Sequence, residues 1–332
     1  MGGPLTAHAS APVRLDFAGG WTDVEPFASE RGGVVVNAAL DLRATAAITP
    51  ADAYELRADD LGKVLHPRTP ADFEPNGELD LLKAAVRMSG IGPCRIRTAS
   101  AAPPGSGLGS SGALDVALIA ALDATTGTTA TAVDVAERAW RLEAVEAALP
   151  GGRQDQYAAA LGGFHRLTFG ADGVGVHALR LGDAVLDALA SHIVVCYTGQ
   201  SRVSSEAIAR VMTSYVRGDE SVVGALHGLA AVADRMGEAL EAGDLARIGA
   251  LLSENWRLQQ RLDAGMSTEL MARLEAGVAE RGGLGGKAAG AGAGGSMFFV
   301  VGGDRGGPER FAESLGATVL PVHWAREGMR TW

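Results

Sequence analysis

An α+β fold of two packed halves, joined near residues 170–190, is what this sequence predicts, and three observations carry it. Short apolar runs, 11–17 with rough period-two alternation and 191–197 as a continuous stretch, read as strands. Longer runs with helical spacing lie between them, notably after Gly112 and across 204–262. Glycine-rich clusters at 103–112 and 285–295 punctuate both halves. The expected domains are 1–175 and 176–332. With 332 residues, 47% of them hydrophobic, the chain has the material for a sizeable core.

In order, the first ten residues are small and featureless and predict a frayed tail. Residues 11–17 (APVRLDF) form a strand that runs into a turn at Gly19-Gly20. Residues 32–49 give one or two further strands, 78–89 a helix and 93–98 another strand. The glycine-serine loop 103–112 opens onto an apolar helix closing at Gly127. A second helix spans 133–149 and is stopped by Pro150-Gly151-Gly152. Residues 157–162 stay apolar, and 163–169 read as a strand. In the second half, 191–197 is a strand and 204–262 is mostly helical, broken near Gly218 and Gly243. A helix over 268–281 ends at Gly282-Gly283. The loop 285–295, a strand 297–301, a short helix 310–315 and an edge strand 318–322 complete the chain.

Charge and composition exclude several classes. The chain has 29 basic against 39 acidic side chains, a formal charge of −10. Nucleic acids and anionic membranes need clustered positive charge, so neither is an expected partner. Cys94 and Cys196 each sit in an apolar strand-like run, which predicts buried free thiols rather than a disulfide or metal site. No stretch approaches 18 uninterrupted apolar residues, and no basic-then-apolar leader opens the chain. A cytoplasmic protein, monomer or homodimer, is expected. The seven histidines show no ligand spacing, and no Ser/His/Asp or Cys/His arrangement points to a hydrolase.

Two loops have the composition to cradle phosphate, because glycine lets backbone N–H groups converge on an anion at a helix start. The first, Gly107-Leu108-Gly109-Ser110-Ser111-Gly112, matches G-x-G-x-x-G. A dinucleotide site also needs a strand running straight into the loop, and a second strand ending in an acid about 20 residues on. Here Pro103-Pro104 interrupts the entry, and a helix follows where that strand belongs. The second loop contains Gly286-Lys287, one of only three lysines beside 26 arginines. Ala288 stands where a P-loop needs Ser or Thr, and Arg281 where it needs glycine, so Walker A fails twice. The protein-kinase tripeptides His-Arg-Asp and Asp-Phe-Gly are missing.

Taken together, the pieces resemble a known family. Residues 103–111 (PPGSGLGSS) resemble the second motif of the GHMP kinases, which include galactokinase and the homoserine, mevalonate and phosphomevalonate kinases. Ala11-Pro12-Val13-Arg14, followed by Gly19-Gly20-Trp21-Thr22-Asp23, looks like the first motif, and 285–295 (GGKAAGAGAGG) like the third. FAGGWTD, GGRQDQYAAALGGF, YTGQSRVSSE and GGLGGKAAGAGAGG are similar to the branch that phosphorylates heptose 7-phosphate and related sugars. That branch has glycine where Trp21 and Ala293 stand here.

The resemblance implies an N-terminal domain with a left-handed βαβ unit and a ferredoxin-like C-terminal domain. It also implies ATP and Mg²⁺ as cofactors, with Pro104, Gly105, Ser106, Gly107, Leu108, Gly109, Ser110 and Ser111 around the triphosphate. Ser111 and Glu143 would serve magnesium, which prefers oxygen ligands. Glu137 and Glu146, on the same helix, read as a solvated face. Asp155 would accept or orient the acceptor's proton, and Arg14 beside it would keep it ionised and stabilise charge on the moving phosphoryl group. Homoserine-kinase-like members lack this aspartate. Asp23, with Gly20, Trp21 and Thr22, would hold sugar hydroxyls. Gly290 and Gly292 are placed beside the acceptor, and Arg153 and Arg202 are candidates for a substrate phosphate. Lys287 either neutralises a phosphate or steadies its loop. Bland alternatives stay open: N-capping for the serines and Asp155, a turn aspartate for Asp23, a structural ion pair for Arg14. The implied acceptor is the anomeric hydroxyl of a sugar or sugar phosphate, heptose 7-phosphate first. Fucose or a cyclitol phosphate comes second, and a non-catalytic ligand sensor is the competing class.

Overall fold

The computed structural model describes residues 6–200 and 204–332. Strand β1 (Ala7–Ala18) and the long β2 (Gly33–Pro50) pair antiparallel from Ala7 opposite Ile48 to Ala18 opposite Val36. A short helix α1 (Phe27–Arg31) lies between them. The frayed tail expected over 1–10 therefore stops short: residues 7–10 are strand, with Ala9 fully buried. Small side chains hid the signal, because Ala and Ser show no alternation of hydrophobicity.

Strands β3 (Glu55–Ala58) and β4 (Lys63–Leu65), helix α2 (Asp80–Ser89) and strand β5 (Cys94–Ser100) follow. Helix α3 (Ser110–Thr126) is apolar all round and buried on nearly every face, as a central helix must be. It closes at Gly127, whose φ of +68° is the left-handed stop that glycine supplies. Helix α4 (Ala132–Arg141) continues into a single π-helical turn, Leu142–Glu146, where one unbroken helix is expected from the sequence. Helix α5 (Gln154–Leu161), strand β6 (Phe164–Gly170) and strand β7 (Gly173–Ala178) complete the first sheet.

The second half contains α6 (Asp183–His192), β8 (Ile193–Tyr197) and three helices, α7 (Ser204–Val216), α8 (Glu220–Ala242) and α9 (Leu245–Gln260). The helices break beside Gly218 and Gly243, as the glycines predict. Then come α10 (Glu269–Ala279), β9 (Gly283–Ala288), β10 (Ser296–Val301), α11 (Gly306–Ser314), β11 (Thr318–Leu320) and β12 (Arg330–Thr331). The glycine-rich stretch expected as a loop over 285–295 thus begins as a strand, since β9 pairs antiparallel with β10.

The first sheet runs β12-β1-β2-β5-β3-β4, with β6 and β7 attached along the start of β2. The second runs β11-β8-β10-β9, the order of a β-α-β-β-α-β ferredoxin-like unit. The division expected at 175/176 falls inside β7, and the chain end returns to the first sheet through β12. One core spans both halves. The Phe17 ring of β1 lies 5.4 Å from Phe298 of β10, and Trp324 lies 4.8 Å from Phe164. Cys94 and Cys196 are buried and free. No helix among the described residues is long and apolar enough to cross a membrane.

Candidate active site

A cleft of about 270 Å³ opens where β1, the start of α3, the start of α5 and the loop after β9 converge. Its first wall is the glycine-serine loop. Gly105, Gly107 and Gly109 have φ of +68°, +71° and +76°, a left-handed geometry that side chains resist. Gly109 is the N-cap of α3 and brings no side-chain cap, so the N–H groups of the first turn remain available to an anion. Neither Ser110 nor Ser111 is the cap; both lie inside the first turn. Backbone bonds pin the loop from both halves, Arg14 N–H to Leu108 O (2.8 Å) and Ser296 N–H to Ser106 O (2.7 Å). Leu108 itself is fully buried in the core, and Pro104 lends its carbonyl to the Tyr197 hydroxyl.

The two glycine loops touch. A Cβ on Gly290 would lie 2.5 Å from the Gly107 carbonyl oxygen, which also accepts from Arg14 Nη1 at 2.7 Å. Gly290→Ala must therefore push the glycine-serine loop, and displacement near 1 Å is enough to lose about a hundredfold in rate. We expect that loss in kcat/KM by steady-state kinetics. Gly307→Ala, where a Cβ meets nothing within 4 Å, is the silent control.

Arg14 and Asp155 meet although 141 residues separate them. Arg14 Nε donates to Asp155 Oδ1 at 2.8 Å, and Nη1 also donates to the Ala289 carbonyl at 2.9 Å. Strand β1 points Arg14 inward at 5% exposure, and a buried guanidinium needs such partners. Asp155 sits in the first turn of α5, tight against α3. A Cβ at Gly112 would come within 2.6 Å of the Asp155 Cβ, so that glycine is what lets the two helices approach.

Glu143 lies on the π-helical turn, a distortion that recurs at functional sites. Burial pushes its carboxyl up to about 7; bonds from the Ser111 hydroxyl and the Gln156 amide oppose that, while the charge on Asp155 adds to it. The Gln156 amide donates to Glu143 Oε2 at 2.6 Å. A buried acid beside a serine hydroxyl is a hard oxygen pair that suits Mg²⁺, and a cation there would restore its charge. Among the described residues no group of three or more His, Cys, Asp or Glu is placed to hold a metal alone.

Asp23 is 3% exposed and accepts from the Gln154 N–H at 3.1 Å. Burial, then the charges of Asp155 and Asp16, raise it to about 6 against the pull of that N–H. Gly152 makes the room, since a Cβ there would overlap Asp23 Oδ2 at 1.9 Å. Gly20, Trp21, Gly290 and Ala291 also line the cleft.

Other expected site residues do not line it. Lys287 is fully buried in β9, where Nζ donates to the Asp16 carbonyl (2.6 Å) and to Asp16 Oδ2 (2.8 Å). Burial lowers its pKa while Asp16 opposes the shift. Thr22 pins the turn through Gly19 O and Val34 O, and Gly292 packs against the Met266 carbonyl. The Arg153 guanidinium stacks on Trp140 at 4.1 Å and pairs with Glu137 and Glu25. Glu137 is accordingly no solvated acid; it also accepts the Tyr157 hydroxyl. Arg202 lies outside the described residues. Ala293 adopts φ +61° without the expected glycine, its N–H bonded to Met266 O.

Two acids escaped the sequence reading. Asp16 lines the cleft two residues after Arg14, and a strand's period of two puts both on one face. That spacing was the available signal. Asp115 is fully buried on α3, and among the described residues neither of its oxygens has a hydrogen-bond partner. Burial first, then the charges of Glu143 and Asp155, raise its carboxyl well above the ordinary 3.8. The sign follows from linkage: the native state binds this proton more tightly than the unfolded state, so stability is full below about 3.8 and is lost as pH rises toward the folded value. Asp115→Asn is expected to raise the thermal midpoint at pH 8 and to change it much less at pH 4. Equal midpoints for both proteins at pH 8 would contradict this.

Comparisons with known proteins identify the family. The family model described as "GHMP kinases N terminal domain" matches residues 79–163, and "GHMP kinases C terminal" matches 236–319. The chain is 28% identical over 305 residues to D-glycero-alpha-D-manno-heptose 7-phosphate kinase of Campylobacter jejuni, covering 89% of each protein. It is 29% identical over 292 residues to the bifunctional fucokinase/GDP-fucose pyrophosphorylase of Arabidopsis thaliana, covering 82% of this chain and 28% of that much longer protein. In three dimensions it is similar to a D-glycero-D-manno-heptose 1-phosphate kinase from Bacteriodes thetaiotaomicron, with TM-score 0.79, 26% identity and 98% of each chain covered. Two family models in the expected order, one over α2 to α5 with the glycine-serine loop and one from the end of α8 to β11 with the second glycine-rich loop, together span just over half of the chain: the chain belongs to the GHMP kinases.

Proposed function

We propose that the protein transfers the γ-phosphoryl group of ATP, with Mg²⁺, to the anomeric hydroxyl of a sugar or sugar phosphate such as heptose 7-phosphate. The observation that carries this reading is the Arg14–Asp155 pair, set in one cleft with an open helix N-terminus and buried Asp23. A binding-only sensor has no use for such a proton acceptor. ATP as donor suits a cytoplasmic enzyme.

The roles follow from position. The loop from Gly105 to Ser111 receives the triphosphate on its N–H groups and on the positive end of α3. Ser111 and Glu143 would hold the metal, which neutralises phosphate charge when bound. Asp23 and Asp16, which both line the cleft, accept sugar hydroxyls. Asp155 takes the proton of the attacking hydroxyl, and Arg14, hydrogen-bonded to it, faces the charge that develops on the phosphoryl group.

Asp23 gives a pH signature. Its carboxyl must be ionised to accept two hydroxyl bonds, and it protonates near 6. We expect KM for the acceptor to rise about fivefold between pH 6 and pH 5, while KM for ATP stays nearly flat. In Asp23→Asn the acceptor KM is high at both pH values. The decisive assay is ADP release with Mg-ATP across heptose 7-phosphate, fucose, galactose, mannose, cyclitol phosphates, mevalonate and homoserine. A sugar as best acceptor supports the reading, and mevalonate or homoserine as best acceptor overturns it.

A further inference from the structure

We propose that strand β7 is a self-pairing edge, along which two copies of this chain join antiparallel about a twofold axis through Val176. The first support is an edge without protection. Among the described residues β7 (Gly173–Ala178) pairs with β6 alone, in an unbroken register from Gly173 opposite Gly170 to Ala178 opposite His165. A free edge of that length is a ready template for another strand, and proteins ordinarily blunt one with lysine, proline or a bulge. Gly-Val-Gly-Val-His-Ala carries none of these. Residues 175–178 are exposed, Val176 at 38%. The other edges differ. Strand β12 has two residues, and β4 and β11 have three each. Strand β9 lies against α9, where a Cβ on Gly285 would meet the Gly249 carbonyl at 1.9 Å.

The second support is that this edge fits its own copy in one register. The Leu179 N–H donates inward to the Phe164 carbonyl at 2.9 Å, and the next N–H, of Arg180, turns outward to Glu241 at 2.9 Å. By the alternation of an antiparallel ladder, Gly173, Gly175 and His177 bond to β6, while Val174, Val176 and Ala178 turn their N–H and C=O groups outward. An axis through Val176 sets that residue opposite its own copy and Val174 opposite Ala178, so every outward group gains a partner. The side chains agree with it. His177 falls opposite Gly175, which has no side chain to obstruct the ring. Asp172 falls opposite Arg180 at both ends of the pairing. Both are exposed, and neither side chain has an ion pair among the described residues. Shifted registers lose this fit. An axis through Gly175 puts Asp172 opposite Ala178. An axis through His177 sets the two imidazoles opposite each other and needs the Arg180 N–H that Glu241 already holds. The contact is isologous and closes at two copies.

The test is the oligomeric state of the full chain by sedimentation velocity over a micromolar concentration series, with circular dichroism as the check of fold. The native protein is expected to sediment as a dimer. Val176→Pro removes the N–H at the axis and spares every bond to β6, because that N–H faces away from it. It is expected to sediment as a monomer with an unchanged spectrum. Val176→Lys keeps the N–H and sets two ammonium groups against each other, so it decides the question even if the proline variant fails to fold. Asp172→Arg should raise the dimer Kd at least about tenfold by setting arginine against arginine at both ends. Asp172→Arg combined with Arg180→Asp should restore the native Kd. A native protein that stays monomeric throughout the series overturns the proposal. A dimer that survives in folded Val176→Pro or in Val176→Lys also overturns it, since the contact then lies on another face. An Asp172→Arg dimer of native strength, or a charge swap that restores nothing, overturns the register.

Discussion

Asp155→Asn is expected to lower kcat by two to four orders of magnitude, roughly the span that a positioned proton acceptor contributes. Nucleotide affinity should stay within about twofold of the original, because the loop N–H groups and the end of α3 are untouched. Asn keeps the shape beside Gly112, where the close approach of α3 and α5 leaves little freedom. Arg14 keeps its bonds to the Gly107 and Ala289 carbonyls, so the guanidinium is not left stranded. Single-turnover ADP release and calorimetric titration of a non-hydrolysable ATP analogue separate the two effects. Near-normal turnover in the variant would remove Asp155 from the chemistry and leave it as a partner for Arg14 alone.

The second large effect is structural. Lys287→Met should destabilise the fold by about 3–5 kcal/mol, the usual range for removing one partner of a buried pair. The lysine is fully buried, and the side chain of Asp16 is 4% exposed at a contact of 2.8 Å. Loss of the ammonium leaves a carboxylate desolvated on one side and an acceptor carbonyl without its donor. Removing both charges, as in Asp16→Asn with Lys287→Met, should recover much of the loss, since no unpaired ion remains. Urea midpoints of the single and double variants measure this. A double variant no more stable than Lys287→Met would show that the damage is packing rather than charge. This pair also joins β9 of the second sheet to β1 of the first, so the lysine reaches the cleft only through the acid that it holds.

What was legible in the sequence followed from local physics. The loop and helix around Gly107 and Gly127 were readable because glycine placement and all-round apolarity are local signals. The breaks at Gly218 and Gly243 were readable for the same reason. Arg14 announced a partner, since an arginine in a strand is expensive to bury alone, but its pairing with Asp155 is a product of topology that no local pattern reveals. Residues 285–288 looked like loop because glycine weakens every strand signal, and only pairing with β10 makes them part of a strand. The π-helical turn that carries Glu143 has the same apolar spacing as an ordinary helix. Asp115 sat inside an apolar run, where one acid reads as an interruption rather than as a charge enclosed beside Glu143 and Asp155.

The aromatic stack formed by Phe17, Phe164, Phe298 and Trp324 has a consequence for cooperativity. These rings come from both sheets and from the returning chain end, so apolar packing bridges the two halves. Local opening follows regions of low contact and exposed hydrogen bonds, and this junction is neither. The halves are therefore expected to unfold in one transition, with coincident urea midpoints from probes placed in each half.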